Sequence, residues 1–224
     1  MQNEHEREQR HACLENLGQL DFVIEAKERT DWESTMHALS EIVIKGERWP
    51  KISSVHWSTP PELIRALCKK GIIPREFITS GEHWDPFYLD GKVLEIYQEL
   101  GFSIRHRNEN FWDVWPEVLK PNTYIITNPP FGSGMQYLLE AFFQFLVTFD
   151  RPFVIILPDK ITIRHYFGAS FARIRHPEDF YIFGLNKSFC MKNEAEARST
   201  VFSGLTVITY LKKDWNFVLK RSKF

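Results

Sequence analysis

Tyr124-Ile125-Ile126-Thr127 runs without a break into Asn128-Pro129-Pro130-Phe131-Gly132, and no other stretch constrains the fold as much. The apolar, β-branched run reads as a buried strand. The two prolines cannot extend it, because each lacks an N–H and has a fixed φ. A strand must therefore stop abruptly in a stiff loop, and in an open α/β sheet the carboxyl end of a strand is where ligands sit. The prolines hold the Asn128 side chain and the neighbouring carbonyls in one orientation, and Phe131 offers a flat face for stacking. A rigid amide acceptor, a main-chain carbonyl and an aromatic plate together suit a planar group bearing an NH2.

The chain has 224 residues, 43% of them hydrophobic and 15% aromatic, enough apolar material for one well-buried core. Residues 1–50 read as a charged helical extension. Leu14, Leu17, Leu20 and Val23/Ile24, then Met36, Leu39, Ile42 and Val43, recur at helical spacing, with a break near Thr30-Asp31. Such an extension either packs on the main domain or grips a partner. Residues 51–224 alternate apolar runs with helical stretches, the rhythm of an α/β domain with a largely parallel sheet. Thr59-Pro60-Pro61-Glu62 opens a helix through Lys69, with Thr59 as its cap. A weak strand is expected at 76–80, a loop at 85–91 and a helix at 92–100. Strands are expected at 102–105, 124–127, 153–157, 180–183 and 205–211, the last antiparallel at the sheet's end. Residues 136–147 read as a strongly apolar helix, in which Phe142, Phe143 and Phe145 are core.

Charge and cysteine content limit the partners. With 28 Lys+Arg against 29 Asp+Glu the net charge is -1, so any nucleic-acid role must rest on local patches. Lys160, Arg164, Arg173 and Arg175, with His165 and His176, form one such cluster and are candidate phosphate contacts; Lys212, Lys213, Lys220, Arg221 and Lys223 form another. The cysteines Cys13, Cys68 and Cys190 show neither a disulfide framework nor zinc spacing, and the 8 histidines show no HExxH pattern, so no metal is expected. The absence of an apolar leader or of roughly 18 uninterrupted apolar residues points to an intracellular protein, cytoplasmic or nuclear, with no membrane partner.

Two upstream segments complete an ordered set. Trp57-Ser58-Thr59-Pro60 precedes Asp85-Pro86-Phe87-Tyr88-Leu89-Asp90-Gly91, which precedes Asn128-Pro129-Pro130-Phe131. In this order the chain resembles the class I S-adenosylmethionine-dependent methyltransferases, in the branch that methylates amines, and within it resembles the Dam-like N6-adenine group. The resemblance covers about 55–211. It implies a Rossmann-like domain with a mostly parallel seven-stranded sheet flanked by helices. Asn128 and the Pro129 carbonyl would accept hydrogen bonds from the target amine, Pro130 would stiffen the loop and Phe131 would stack on the ring. Trp57, Ser58 and Thr59 would cap the methionine end of the cofactor. Asp85, Pro86, Phe87, Tyr88 and Gly91 would form the cofactor loop, in which Leu89 stands where the family has its first glycine. Asn110 and Phe111 would frame the adenine. Glu109 is either a ribose ligand or a solvated loop residue.

The implied function is S-adenosylmethionine-dependent N6-adenine methylation of nucleic acid, DNA favoured over RNA, with the target base flipped out of a duplex. Specificity would come from the extension, from loops such as 186–200, or from a protein partner. Guanine-N2 methylation of RNA and glutamine-N5 methylation of protein use the same loop, and a catalytically inactive subunit of this fold is the further alternative.

Overall fold

The computed structural model describes residues 32–42, 59–88, 91–131, 135–185, 189–193, 198–202, 204–212 and 215. The first helix expected in the amino-terminal extension lies outside them. In chain order the elements are α1 (Trp32–Ile42), α2 (Pro61–Lys69), α3 (Arg75–Thr79), β1 (Glu82–Trp84), α4 (Val93–Glu99), β2 (Ile104–Arg105), α5 (Phe111–Val118) and β3 (Thr123–Thr127). They continue with α6 (Gln136–Phe149), β4 (Phe153–Pro158), α7 (Asp159–Thr162), α8 (His165–Phe171), β5 (Phe180–Leu185), β6 (Phe189–Asn193), β7 (Arg198–Phe202) and β8 (Leu205–Tyr210).

The fold is α/β, with a mixed six-stranded sheet in the order β2-β1-β3-β4-β8-β5. β2, β1, β3 and β4 pair in parallel, and β8 runs antiparallel to both β4 and β5. Alternation along the central strands divides the core between two faces. Ile125, Phe153, Ile155, Leu157 and Ile208 face a layer containing α1, α5, α6 and α8. Tyr124, Ile126, Val154, Ile156 and Val207 face α2, α3 and α4.

The 14-residue α6 is apolar nearly all round because it is covered on several sides. It packs on α1 and α8 as well as on the sheet, and Phe142, Phe143 and Phe145 are fully buried core residues. α1 joins the same core through Leu39 and Ile42, so this part of the extension packs on the main domain.

Several expectations are corrected. Among the described residues the main sheet has six strands, not seven. Residues 75–79 are helical, because Pro74 sets a helix start in extended backbone and only Phe77 needs burial; the strand begins later, at Glu82. Pro60, not Thr59, occupies the cap position of α2, and no side chain caps the helix. β8 is antiparallel as expected but lies inside the sheet, leaving β5 at the edge. Much of the stretch expected as the loop 186–200 is a separate two-stranded antiparallel hairpin, β6–β7, with Phe189 opposite Phe202 and Asn193 opposite Arg198.

Candidate functional site

The chain crosses from one side of β1 to the other between β2 and β3, so the crevice of this switch point opens at the carboxyl ends of β1 and β3. Asp85 leaves β1 there, and Asn128 leaves β3. Thr127 Oγ1 donates to Asp85 Oδ1 over 2.6 Å, joining the loop that carries Asn128 to the loop 85–91. The Tyr97 hydroxyl, on α4, donates to Oδ2 at 3.3 Å, and the Phe87 N–H donates to Oδ1 at 3.3 Å. Burial raises the Asp85 carboxyl above its ordinary range, with His106 and Thr127 pulling the other way. Burial beside this carboxylate also pushes the Tyr97 phenol well above its ordinary value.

His106, directly after β2, is the residue that motif reading missed. Its Nδ1 lies 3.2 Å from the Asp85 carbonyl and 3.5 Å from Asp85 Oδ2. A carbonyl can only accept, so Nδ1 carries a proton toward it. His106 is only 4% exposed, and Nε2 is buried with no hydrogen-bond partner among the described residues. Such an orphan polar atom costs free energy unless a ligand group meets it. The available signal was positional: a histidine on the last turn out of a short strand.

The expected cofactor residues divide. Asp85 and Pro86 are buried, while Phe87 and Tyr88 are half-buried at the crevice. The Tyr88 ring lies 5.0 Å from the His106 ring, and Gly91 adopts φ +73 against Tyr88, so closely that a Cβ at Gly91 would strike the phenol. Glu109 is held by Arg105, which donates through Nε and Nη2 at 2.8 to 3.0 Å. Asn110 occupies the cap position of α5. Phe111 belongs to the core: it is 1% exposed and stacks on Trp84 with centroids 5.1 Å apart. Thr59 is half-buried ahead of α2, and Trp57 and Ser58 lie outside the described residues.

Of the Asn128 loop, Asn128 is half-buried, Pro129 and Pro130 are buried, and Phe131 is only 4% exposed and packed with the core. Phe131 therefore shapes the wall from behind; it does not stand free as a plate.

The four basic candidates do not form one patch. Lys160 and Arg164 are exposed just beyond the carboxyl end of β4, on the side of the Asn128 loop. α8 then returns the chain, and Arg175 Nη1 donates to Asp150 Oδ2 over 3.4 Å at the residue that ends α6, near the amino end of β4. Arg173 lies in the same return segment. A strand of six residues separates the two ends by roughly 20 Å.

Among the described residues no group of three or more His, Cys, Asp or Glu side chains is arranged to hold a metal ion. Among them, too, no helix is long and apolar enough to cross a membrane. Compared with models of known families, with curated proteins and with solved structures, the chain matches none.

Proposed function

We propose that the chain is a Rossmann-like class I methyltransferase that uses S-adenosylmethionine to methylate the N6 amine of adenine in nucleic acid, DNA in preference to RNA. One observation carries most of the weight: the 2.6 Å hydrogen bond from Thr127 to Asp85 couples the cofactor-type loop to the Asn-Pro-Pro-Phe loop at the switch point. Two motifs 42 residues apart in the chain thus share one anchor. The residues present fit a nucleoside-bearing cofactor, because His106 offers a buried ring nitrogen without a partner among the described residues, and Gly91 turns the backbone in a conformation that an L side chain would strain.

Bound S-adenosylmethionine supplies an electrophilic methyl group on a sulfonium. Asn128 and the Pro129 carbonyl accept a hydrogen bond from each N–H of the target amine, which favours a pyramidal nitrogen with its lone pair turned toward the methyl; the methylated, cationic nitrogen then releases one proton to solvent. The buried prolines keep these acceptors from rotating, so the contribution is orientation and stabilisation of charge developing on nitrogen. Asp85 positions Thr127 and His106 and is not a general base, since its oxygens already accept three hydrogen bonds.

Asn128→Ala is expected to keep the circular dichroism spectrum and the calorimetric affinity for S-adenosylmethionine while lowering methyl transfer about a hundredfold or more. Tritiated-methyl assays on DNA, RNA and protein in parallel, with mass spectrometry of the nucleosides, identify the modified atom. An unchanged rate removes Asn128 from the mechanism.

A second reading is a non-catalytic subunit of the same fold. It is favoured by the burial of Phe131 and by Leu89 in place of a cofactor-loop glycine. No binding of S-adenosylmethionine at millimolar ligand would select it.

A further inference from the structure

β5 ends the sheet, with β8 as its one neighbour among the described residues; β6 and β7 pair with each other in a sheet of their own. The Leu211 N–H donates to the Asp179 carbonyl at 3.1 Å, in the register that carries on through β5. Along an antiparallel strand the main-chain groups turn to alternate sides. Tyr181, Phe183 and Leu185 therefore bond to β8, and Phe180, Ile182 and Gly184 aim their main-chain groups away from the sheet. The Phe180 N–H is taken by the Pro177 carbonyl. The outward set is thus the Phe180 carbonyl and both groups of Ile182 and Gly184.

Sheet edges are ordinarily blunted by shortness, charge, proline or a bulge. β2, the opposite edge, is two residues long and carries Arg105, which is paired with Glu109. β5 has none of these devices: its six residues include no charge and no proline, and they pair with β8 one for one. Ile182 is 51% exposed, although Ile208 beside it in β8 is fully buried.

The outward residues are symmetric about Ile182. A two-fold axis there sets Ile182 opposite Ile182 of a second copy, and Phe180 opposite its Gly184. Each Ile182 N–H then meets the other Ile182 carbonyl, and each Gly184 N–H meets a Phe180 carbonyl, so every outward donor finds an acceptor. The side chains agree with this register. On one face Tyr181 and Phe183, whose rings stack with centroids 6.3 Å apart, fall opposite Phe183 and Tyr181 of the copy, as close cross-strand aromatic pairs. On the other face nothing lies within 4 Å of where a Cβ on Gly184 would stand, which leaves room for the Phe180 ring of the copy. Charge agrees too, because the Asp179 carboxylates of the two copies would be about 20 Å apart, well beyond the screening length of about 8 Å.

We propose that β5 pairs with β5 of a second copy of this chain, antiparallel about Ile182, to make one continuous sheet. A strand pairing about 20 Å long covers less than the standard interface of about 1,600 Å², so the dimer dissociates in the micromolar range. β5 runs parallel to β4, since both are antiparallel to β8. The Asn128 loops of the two copies thus face opposite directions, and both sites stay open. The pairing does not depend on the methyltransferase reading.

Sedimentation equilibrium of the full chain, from micromolar to millimolar concentration, is expected to approach twice the chain mass and stop there, because a two-fold contact closes on itself. Ile182→Lys and Ile182→Asp each place like charges opposite one another, and each is expected to weaken association about tenfold or more. An equimolar mixture of the two is expected to recover it, since Lys then faces Asp. A wild type that stays monomeric or grows past the dimer, an unaffected variant, or a mixture that fails to recover overturns the proposal. Circular dichroism checks that the variants fold. If one does not, the wild type decides alone by amide exchange: exchange at Ile182 and Gly184 is expected to slow as concentration rises while Tyr181 and Phe183 stay constant, and exchange at Ile182 and Gly184 that ignores concentration overturns the pairing.

Discussion

Asp85 organises the site end of the sheet, and its chemistry there has a pH signature. Its carboxyl is shifted upward by burial, so the native state binds its proton more tightly than the unfolded chain does. The stability contributed by that tighter binding is fully present below the unfolded value near 3.9 and is lost as pH rises through the native value. Asp85→Asn keeps an acceptor for Thr127 but cannot ionise. The variant is therefore expected to gain stability relative to wild type as pH rises from 4 toward neutrality, read as the difference in urea midpoints at each pH. Thr127→Val removes the donor to a buried carboxylate and is expected to cost about 2 kcal/mol at neutral pH in the same measurement. Neither Tyr97 nor His106 was legible as a member of this cluster. Hydrogen bonds across 12, 21 and 42 residues are set by strand register, which single-residue patterns do not encode.

Among the elements, α6 shows how far periodicity carries. Phe142 is wholly buried and meets both Phe87, in the cofactor-type loop, and Phe111, with centroids 5.2 and 5.4 Å away. Phe142→Ala is expected to lower the free energy of unfolding by about 3–5 kcal/mol, measured by urea titration. Long runs such as those of α6, β3 and β4 were readable because their apolar pattern outweighs everything else. β1 was not, because its three residues include a buried His83 that looks like a surface residue in sequence. In the fold His83 Nε2 lies 2.8 Å from the Phe77 carbonyl, and the ring is packed by Phe77 and Phe102, each with its centroid 4.9 Å away. α5 escaped notice because Pro116 interrupts the helical signal, yet the proline is tolerated within the second half of that short helix. The antiparallel sense of β8 was legible from its alternation, but its place in the sheet depends on which edge remained open.

Across the whole molecule, a net charge of -1 conceals a polarity of ends. Lys160 and Arg164 stand at the end that carries Asn128, and Arg175, held by Asp150, stands at the other beside a cavity of ≈ 590 Å³. A duplex seated at the site is therefore expected to meet the first pair only. Replacing Lys160 and Arg164 by Ala should reduce the salt dependence of DNA affinity by about two phosphate contacts, measured as the slope of log affinity against log salt concentration. Replacing Arg173 and Arg175 should leave that slope unchanged; a loss there instead would place the nucleic acid at the far end.

The inserted position of β8 also bears on how the chain is made. β4 is a continuous apolar strand buried on both faces, and its second neighbour in the sheet is synthesised only after α7, α8, β5 and the β6–β7 hairpin. At ~5–20 residues per second, that edge waits on the order of seconds on the ribosome without its partner, and β5 waits with it because among the described residues it pairs only with β8. An open, flat, apolar edge is a template for pairing with other chains. Strand order alone thus gives the nascent protein an interval with open strand edges, and that interval closes when Leu205–Tyr210 enters between two strands already made.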